Sequence, residues 1–289
     1  MTTTQHLGSP AVESVGSVDS VALCAIPFRA VDRPVLHYIH EISGSVFHFA
    51  AVADRLAAHR TVIGLQSAGL NPGVEPDRTI EQMADRYLAV IEQRGDPEPY
   101  DIVGYSMGGL VAYEMATRLA RAGREVRLLG LIDPPPPGTP DPIDTARVVR
   151  MLARTLQIDL TATSQSTVAG VGLDPDPDEL VRLLIEGGRA SGALPADYTI
   201  EDLQPVLDLQ LANGGAAVAY RPAHIFPGDI RLLGAGPGVL AVKTRGWQPF
   251  AAGRILGDEV ATDHFSLMQG RSAGEVADIL ERWVTGPQA

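Results

Sequence analysis

Short apolar runs alternate with longer amphipathic segments along most of the chain. Several of the apolar runs are rich in valine, isoleucine and leucine without polar alternation, which is typical of parallel strands covered on both faces. The predicted strands are Val21–Ile26, Val35–Ile39, Thr61–Leu65, Tyr100–Tyr105, Val126–Ile132, Val239–Val242 and Glu259–Thr262. The predicted helices outside the central part of the chain are Val46–His59, Thr79–Gln93, Gly109–Ala122 and Ala273–Val284. This repeated alternation predicts a doubly wound α/β fold with a mostly parallel sheet.

One long segment interrupts the alternation. After Asp133 the next strand pattern begins only near Arg231, and helical patterns fill the segment between them. Those patterns are Asp144–Gln157, Asp178–Ala190 and Ile200–Ala219. An insertion of this length into an α/β fold is usually functional, so we expect a helical lid at about residues 138–228, over the carboxyl edge of the sheet. The alternative is that these helices only enlarge the hydrophobic core.

Composition narrows the class of protein. In 289 residues, 35 acidic and 23 basic side chains give a net charge of −12, which argues against nucleic-acid binding. The single cysteine, Cys24, excludes an intramolecular disulfide and a cysteine-based zinc site. Residues 1–20 are polar and aperiodic, which predicts a disordered leader and not a signal peptide. No apolar run approaches the ~20 residues of a membrane span. We therefore expect a cytoplasmic globular domain over residues 21–289, and the excess of arginine over lysine favours a bacterial source.

A serine between a predicted strand and a predicted helix carries the strongest chemical signal. Residues 104–108 read Gly-Tyr-Ser-Met-Gly, which has the form G-x-S-x-G in the strand–turn–helix context of a nucleophile elbow. Such a turn is strained and exposes the serine hydroxyl, and side chains in place of Gly104 and Gly108 would collide across it. We predict that Ser106 is the nucleophile and that the amide of Met107 supplies one oxyanion donor.

A nucleophilic serine needs a base, which is itself oriented by an acid. Only His224 and His264 lie downstream of Ser106. We predict that His264 is the base, because it follows the last predicted strand and precedes the last predicted helix, where a base can reach the elbow. His224 lies within the predicted lid or at its exit, and is interpreted as a surface or lid residue.

Asp133 is the predicted acid, because it directly follows an apolar strand at the carboxyl tip next to the Ser106 unit. The other usual position for this acid is the loop after the next strand, which the sequence places at Val239–Val242. No aspartate or glutamate occurs between Asp229 and Asp258, so that loop supplies none. The alternative for Asp133 is a structural role, as a turn or cap residue ahead of the prolines that follow it.

From about Cys24 to Val284 the sequence resembles the thioesterase domains that end nonribosomal peptide and polyketide assembly lines, within the α/β-hydrolase superfamily. The segments that carry the resemblance are Ile26–Arg29, Arg33–His40, Gly104–Gly109, Leu131–Asp133 and Asp263–Met268. The resemblance implies that the second oxyanion amide belongs to Ile42. The loop around it reads His40-Glu41-Ile42-Ser43-Gly44, where the family usually has His-Pro-x-Gly-Gly.

The resemblance also implies a function. We expect a serine thioesterase that releases an acyl or peptidyl chain from the phosphopantetheine arm of a carrier protein, by hydrolysis or cyclisation, without a metal or another cofactor. The place of Asp133 and the long lid favour chain release over stand-alone (type II) editing. Because the sequence begins with methionine and contains no carrier, we expect it to act in trans, or to be a domain excised from a larger protein. An esterase of free esters, or a non-catalytic binding module, remains an alternative.

Overall fold

A computed structural model describes the chain at residues 24–29, 33–139, 142–160 and 176–286. The predicted leader, residues 1–20, and the start of the first predicted strand lie outside these ranges. Within them, strands alternate with helices up to residue 132 and again from residue 230, and three helices lie between.

The described residues form one sheet of seven strands. Their bounds are β1 (Ala25–Arg29), β2 (Val35–Ile39), β3 (Thr61–Leu65), β4 (Tyr100–Tyr105), β5 (Val126–Ile132), β6 (Ile230–Ala235) and β7 (Ile255–Val260). The spatial order is β1-β3-β2-β4-β5-β6-β7, and every neighbouring pair is parallel except β1 with β3. Strand β4 is therefore central, and the turn that follows it lies at the middle of the sheet's carboxyl edge. This arrangement is an α/β-hydrolase fold.

Helices cover both faces of the sheet. The α-helices are α1 (Ala50–Leu56), α2 (Ile80–Arg94), α3 (Met107–Arg121), α4 (Thr145–Thr155), α5 (Pro177–Ser191), α6 (Ile200–Ala219), α7 (Val239–Trp247) and α8 (Gly270–Thr285). Helices α1 and α8 pack on one face, and α2, α3 and α7 pack on the other. Every residue of β3 and β4 is buried as a result, which explains why these strands lack polar alternation.

Helices α4–α6, which we call the lid, lie between β5 and β6. They pack on one another through a hydrophobic cluster of their own, which includes Val148 and Val149 of α4, Leu184 of α5 and Leu203 of α6. The far end of α6 joins the core beneath the sheet through Ala216. The lid is thus a small helical unit that is anchored on the sheet by its last helix.

One predicted strand is wrong. Residues 239–242 form the first turn of α7, and the sixth strand is instead β6, which begins next to Arg231. A short apolar run fits a buried strand and a helical turn equally well. The turn at residues 236–238, where Gly236 and Gly238 have positive φ angles, separates β6 from α7 and decides between the two.

The boundaries of other elements also differ from the prediction. Strand β7 begins and ends earlier than the predicted Glu259–Thr262, because this edge strand carries polar residues that hide its start. The predicted helix Val46–His59 is divided into a short 3₁₀ turn, Phe47–Phe49, and the seven-residue helix α1.

A buried ionic cluster lies near the start of β4. Asp101 has 0% exposure, and its Oδ1 accepts a hydrogen bond from Arg127 Nε on β5 at 2.8 Å. Arg60 Nη1 lies 3.3 Å from Asp101 Oδ2, and Arg60 also donates to the carbonyl of Val284 in α8. Burial lowers the pKa of Arg60, while the charge of Asp101 acts in the opposite direction. One carboxylate therefore compensates two guanidinium groups and joins the central strand to its surroundings.

No helix in the described ranges is long and apolar enough to cross a membrane. In the same ranges, no three histidine, cysteine, aspartate or glutamate side chains are grouped so that they could hold a metal ion.

Candidate active site

Ser106 occupies the turn between β4 and α3. Its φ angle is +54°, in a region that residues other than glycine rarely adopt. Two hydrogen bonds hold this conformation: the Ser106 amide donates to the carbonyl of Ile132 at 2.8 Å, and the Gly109 amide donates to the carbonyl of Ser106 at 2.9 Å. The strained backbone projects the serine side chain beyond the strand tip, as a nucleophile elbow requires.

Two glycines make room for this turn. A Cβ atom at Gly104 would lie 2.0 Å from the carbonyl oxygen of Gly108, which is the collision that the sequence pattern predicts. A Cβ atom at Gly108 would instead lie 2.2 Å from the carbonyl oxygen of His40. The second glycine therefore serves the close approach of α3 to the loop after β2, in addition to the turn itself.

His264 lies in a short 3₁₀ turn, His264–Ser266, between β7 and α8. Its Nε2 is 3.0 Å from Ser106 Oγ, so it can accept the serine proton. The hydroxyl of Tyr105 donates to the backbone carbonyl of His264, and the two rings lie 5.1 Å apart. Asp263 caps the same turn by accepting from the amide of Phe265 at 2.9 Å. Both contacts fix the imidazole above the serine.

Asp133 completes the line of hydrogen bonds. Its Oδ2 lies 2.6 Å from His264 Nδ1, and because a carboxylate only accepts, the proton of the neutral imidazole is on Nδ1. Its Oδ1 accepts from the amide of Ala235, at the end of β6, at 3.0 Å. The φ angle of Asp133 is +48°, and its amide donates to the carbonyl of Leu233 at 2.8 Å. The carboxylate is therefore buried, oriented and shared between two strand ends.

Lys243 on α7 holds the aspartate from the other side. Its Nζ lies 3.1 Å from Asp133 Oδ1 and donates to the carbonyls of Asp133 and Pro134 at 3.0 and 2.9 Å. Burial lowers the pKa of Lys243, whereas the neighbouring carboxylate raises it. The ammonium group thus stabilises both the charge of Asp133 and the strained backbone that carries it.

The loop after β2 brings Ile42 to the same place as Met107. Both residues line the cavity beside Ser106, and Met107 is the first residue of α3, where amides have no acceptor within the helix. The side chain of Glu41 shapes this loop by accepting from the Ser43 amide at 2.8 Å and from the Ser43 hydroxyl. The Gly44 amide donates to the Glu41 carbonyl at 3.0 Å, with a φ angle of +81° at Gly44. The carboxylate of Glu41 therefore holds this turn, at the position where the family that the sequence resembles usually has a proline.

Ser106 and His264 open into a cavity of about 610 Å³ beneath α4 of the lid. A second cavity of about 290 Å³ adjoins them on the side of Glu41. The larger cavity is lined by aliphatic side chains such as Ile143 and Val239, and by cationic side chains of α4. The site can thus receive an extended acyl chain next to a serine, a histidine and an aspartate that are linked by hydrogen bonds.

A family model of the thioesterase domain matches residues 34–284, which is most of the chain. The chain belongs to the thioesterase domain family.

Known relatives agree with this membership. The vanchrobactin synthetase VabF of Vibrio anguillarum is 35% identical over 112 residues, which cover 39% of this chain and 4% of that protein. A crystal structure of a four-domain nonribosomal peptide synthetase bound to AMP and glycine is 26% identical, with a TM-score of 0.70, over 91% of this chain and 20% of that one. The type II thioesterase BorB of the borrelidin biosynthetic cluster is 23% identical, with a TM-score of 0.61, over 91% of this chain and 98% of that one, and shows the shared fold. The chain spans between 3% and 11% of the length of the curated relatives it matches.

Within this thioesterase domain, the structure brings together Ser106, Asp133 and His264, the three residues predicted as a triad. It places Met107 and Ile42 beside them. His224 is elsewhere: its carbonyl accepts from the Tyr113 hydroxyl at 2.9 Å, and it does not line the cavity. The wrong assignment of the sixth strand leaves the exclusion of a later acid intact, because residues 236–238 contain none.

The sequence did not point to Asn213, which lies on α6 of the lid. Its Nδ2 donates to the carbonyl of Ile42 at 2.9 Å, and the side chain is fully buried. This bond ties the lid to the loop that carries a predicted oxyanion donor. A buried asparagine within a helix is a signal that sequence alone does not link to a distant loop.

We expect Asn213→Ala to lower kcat about tenfold while KM changes little. The lost hydrogen bond loosens the Ile42 loop but removes no oxyanion donor, whose loss would cost roughly 10²–10³-fold. Steady-state thioester hydrolysis measures the effect. Gln204→Ala is the matched control, since that exposed side chain of α6 donates its hydrogen bond to Asp208 of the same helix, at 2.8 Å. Full activity of Asn213→Ala would show that the Ile42 loop keeps its shape without this hydrogen bond to the lid.

His40, at the start of the same loop, is completely buried. Its Nδ1 donates to the carbonyl of Glu41 at 2.6 Å, and its Nε2 accepts from the Tyr87 hydroxyl at 2.6 Å. These partners suit the neutral imidazole. Burial lowers the pKa of His40, although the neighbouring Glu41 raises it.

We expect this histidine to destabilise the thioesterase domain in mild acid. An unfolded histidine binds its proton near pH 6.5, whereas buried His40 stays neutral to lower pH, so the unfolded state binds more protons. The free energy of unfolding should therefore fall as the pH drops below about 6.5, by up to about 1.4 kcal/mol per pH unit from this group. Urea denaturation of the wild type and His40→Gln between neutral and mildly acidic pH measures the difference in slope. An unchanged slope in His40→Gln would contradict the assignment.

Proposed function

We propose that this thioesterase domain releases an acyl or peptidyl chain from a phosphopantetheine thioester through an acyl-enzyme on Ser106. The observation that carries the proposal is the unbroken line of hydrogen bonds from Ser106 Oγ through His264 to Asp133, at 3.0 and 2.6 Å, at the wall of a cavity of about 610 Å³. Membership of the thioesterase family supports the choice of a thioester as the substrate.

The first half of the reaction loads the serine. Ser106 Oγ attacks the thioester carbonyl while its proton passes to His264 Nε2, and the negative charge on the carbonyl oxygen meets the amides of Met107 and Ile42. Asp133 stabilises the imidazolium that forms. The tetrahedral intermediate then collapses, the carbon–sulfur bond breaks, and His264 returns the proton to the departing thiol.

The second half releases the chain. Water, or an amine or hydroxyl of the chain itself, gives a proton to His264 and attacks the ester carbonyl of the acyl-enzyme. Collapse of this second intermediate breaks the bond to Ser106 Oγ, which takes the proton back from His264. The product is a free acid or a macrocycle, and every proton transfer uses the same imidazole, so the proposal requires no metal and no other cofactor.

The proposed partner is an acyl or peptidyl carrier protein. Relatives such as the vanchrobactin synthetase and the dimodular nonribosomal peptide synthase of Bacillus subtilis support a place in nonribosomal peptide biosynthesis. Release of a finished chain is preferred to editing because Asp133 follows β5 and the lid is long. Type II editing is the second candidate, since BorB shares the fold.

The substrate class is tested with matched acyl-N-acetylcysteamine thioesters and the corresponding oxygen esters, with Ser106→Ala as the background. We expect Ser106-dependent thiol release that favours the thioester. Equal or faster cleavage of the oxygen ester would indicate an esterase, and release that survives in Ser106→Ala would overturn the triad.

The fate of the chain is read from product mass. Hydrolysis of a peptidyl thioester with an internal amine gives the linear acid. Cyclisation of the same substrate gives a product that is lighter than the linear acid by one water. Rapid quenching and intact-mass measurement should show the acyl group on wild-type protein and none on Ser106→Ala. Preference for short acyl groups over long chains on the carrier would favour editing.

A further inference from the structure

The amide that the proposed mechanism offers to the oxyanion from the loop after β2 belongs to a peptide group that is firmly held. This peptide joins Glu41 to Ile42. Its carbonyl accepts from His40 Nδ1 at 2.6 Å and from the Gly44 amide at 3.0 Å. Because a peptide group is planar and trans, a carbonyl fixed in this way also fixes the direction of the N–H on its other side. That N–H is the amide of Ile42.

The next peptide, which joins Ile42 to Ser43, is held at both of its polar groups. Its carbonyl accepts from Asn213 Nδ2 of the lid at 2.9 Å. Its N–H donates to Glu41 Oε2 at 2.8 Å, and the Ser43 hydroxyl donates to Oε1 of the same carboxylate. Three of the four polar groups of these two peptides are thus committed to the shape of the loop, and the fourth is the Ile42 amide.

The carboxylate of Glu41 makes the most direct of these contacts. An ionised acceptor forms shorter and stronger hydrogen bonds than a neutral one, and this carboxylate receives two donors from one residue. Only Ile42 separates Glu41 from Ser43 along the chain, so the side chain closes a small ring around the residue whose amide has to be aimed. Asn213, by contrast, reaches the loop from the lid.

A histidine and a tyrosine lie on the other side of this carboxylate. His48 belongs to the 3₁₀ turn Phe47–Phe49, and its Nδ1 is 3.8 Å from Glu41 Oε1. A proton on Nδ1 faces the carboxylate favourably, so Nε2 accepts from the Tyr38 hydroxyl of β2, at 3.1 Å. Burial lowers the pKa of His48, whereas the charge of Glu41 raises it. The carboxylate therefore lies between the loop that it holds and a hydrogen-bonded pair anchored on the sheet.

We propose that Glu41 is a positioning residue of the oxyanion hole, whose carboxylate aims the Ile42 amide by holding Ser43. The inference rests on the proposed function and adds a residue to it. Both halves of the proposed reaction pass through an oxyanion, so the side chain serves both. In this role it acts through the loop and transfers no proton. Its removal therefore weakens binding of the transition state much more than binding of the substrate.

Glu41→Ala tests this role with octanoyl-N-acetylcysteamine as the substrate. We expect kcat to fall roughly 10²-fold, which approaches the loss of one oxyanion donor, while KM changes less than about twofold. Glu41→Gln keeps an oxygen that can accept from the Ser43 amide and an NH₂ group that can donate to the Ser43 hydroxyl. This variant should recover kcat to within about tenfold of wild type. An equal fall in both variants would contradict a role through Ser43.

Two inhibitors distinguish an aimed amide from a general loss of structure. Heptyl trifluoromethyl ketone adds to Ser106 and places an oxyanion in the hole, whereas the octanamide analogue of the substrate binds with its carbonyl intact. In Glu41→Ala, the inhibition constant of the ketone should rise by about the factor lost in kcat/KM, and that of the amide by less than about twofold. Inhibition constants do not depend on the fraction of folded protein. An unchanged constant for the ketone, or an equal rise for both inhibitors, would overturn the proposal.

Ser45→Ala is the matched control, because it removes a hydroxyl from the same loop and leaves the contacts of the two held peptides in place. The Ser45 amide, which donates to Ser43 Oγ at 3.2 Å, remains in the variant. The bond that is lost comes from the exposed amide of Phe47, at 3.3 Å. The control should keep the wild-type kcat and both inhibition constants.

Ser106-dependent thiol release by the wild-type protein tests the proposed function separately. Absence of this release would reject the proposed function itself. Wild-type release together with full activity and an unchanged ketone constant in Glu41→Ala would reject only the role of Glu41.

Discussion

Replacement of Asp133 by asparagine is expected to lower kcat about 10⁴-fold, an effect on the scale of losing a triad member. The surroundings of the carboxylate explain why a nearly isosteric change should be so costly. Two donors, the amide of Ala235 and the ammonium of Lys243, meet at Oδ1. In the variant, the amide oxygen has to take that position, because an NH₂ group there would face two other donors.

The side-chain NH₂ of the variant then points at His264 Nδ1. A donor at that place requires Nδ1 to accept, so the imidazole proton moves to Nε2. Nε2 lies 3.0 Å from Ser106 Oγ and can no longer take the serine proton. The wild-type carboxylate, which only accepts, holds the opposite tautomer.

Single-turnover and steady-state thiol release measure this effect. The Ser106→Ala variant gives the background rate of thiol release, since it retains the cavity and the amides but has no nucleophile. An unchanged urea midpoint for Asp133→Asn would show that the loss is chemical and not a loss of folding. A kcat within tenfold of wild type would contradict the assignment of Asp133 as the acid.

Replacement of Asp101 by alanine is expected to lower the free energy of unfolding by about 3–5 kcal/mol. The carboxylate is completely buried between Arg60 and Arg127, at 3.3 and 2.8 Å. An arginine does not lose its proton in a protein, so both guanidinium groups would remain charged with their shared counter-ion removed. The strand concerned is β4, whose far end carries Ser106.

Urea denaturation measures the loss, and Asp101→Asn supplies a variant that keeps an acceptor if the alanine variant does not fold. The control is Glu186→Ala, which breaks an exposed ion pair with Arg182 on α5. Exposed pairs contribute little, so the control should change the free energy of unfolding by less than about 0.5 kcal/mol. A loss below about 1 kcal/mol in Asp101→Ala would mean that solvent reaches both arginines.

The sequence predicts the centre of this fold better than its edges. Strands β3, β4 and β5 are recognisable because residues buried on both faces form continuous apolar runs. Strand β7 lies earlier in the chain than predicted because Asp258 and Glu259 interrupt its apolar pattern. A tertiary contact accommodates Asp258 in this strand: its carboxylate accepts a hydrogen bond from Trp283 Nε1 on α8 at 2.8 Å. The strand predicted at residues 239–242 fails for a different reason, because a single apolar turn carries no period of its own.

The candidate site divides in a similar way. Ser106, Asp133 and His264 could be placed because each follows a strand, and parallel strands end at one edge of the sheet. Their catalytic roles, and those of Met107 and Ile42, stay predictions until the variants are measured. Lys243 and Asn213 could not be placed, because they reach the site from helices whose docking is set by contacts distant in sequence. Lys243 is the only lysine of the chain, which makes it conspicuous, but the sequence does not show which residues it contacts.

The position of Asp133 has a consequence for how such domains are compared. Asp133 follows the end of β5, but its carboxylate accepts a hydrogen bond from the backbone amide of Ala235 at the end of β6, at 3.0 Å. Two neighbouring strand ends therefore converge on one carboxylate position. A relative whose acid stood at the end of β6 would differ from this chain in the residue that an alignment marks, yet its carboxylate would reach the histidine from the adjacent end of the same edge. For assigning equivalent residues across the family, distance to the imidazole is a better coordinate than position along the chain.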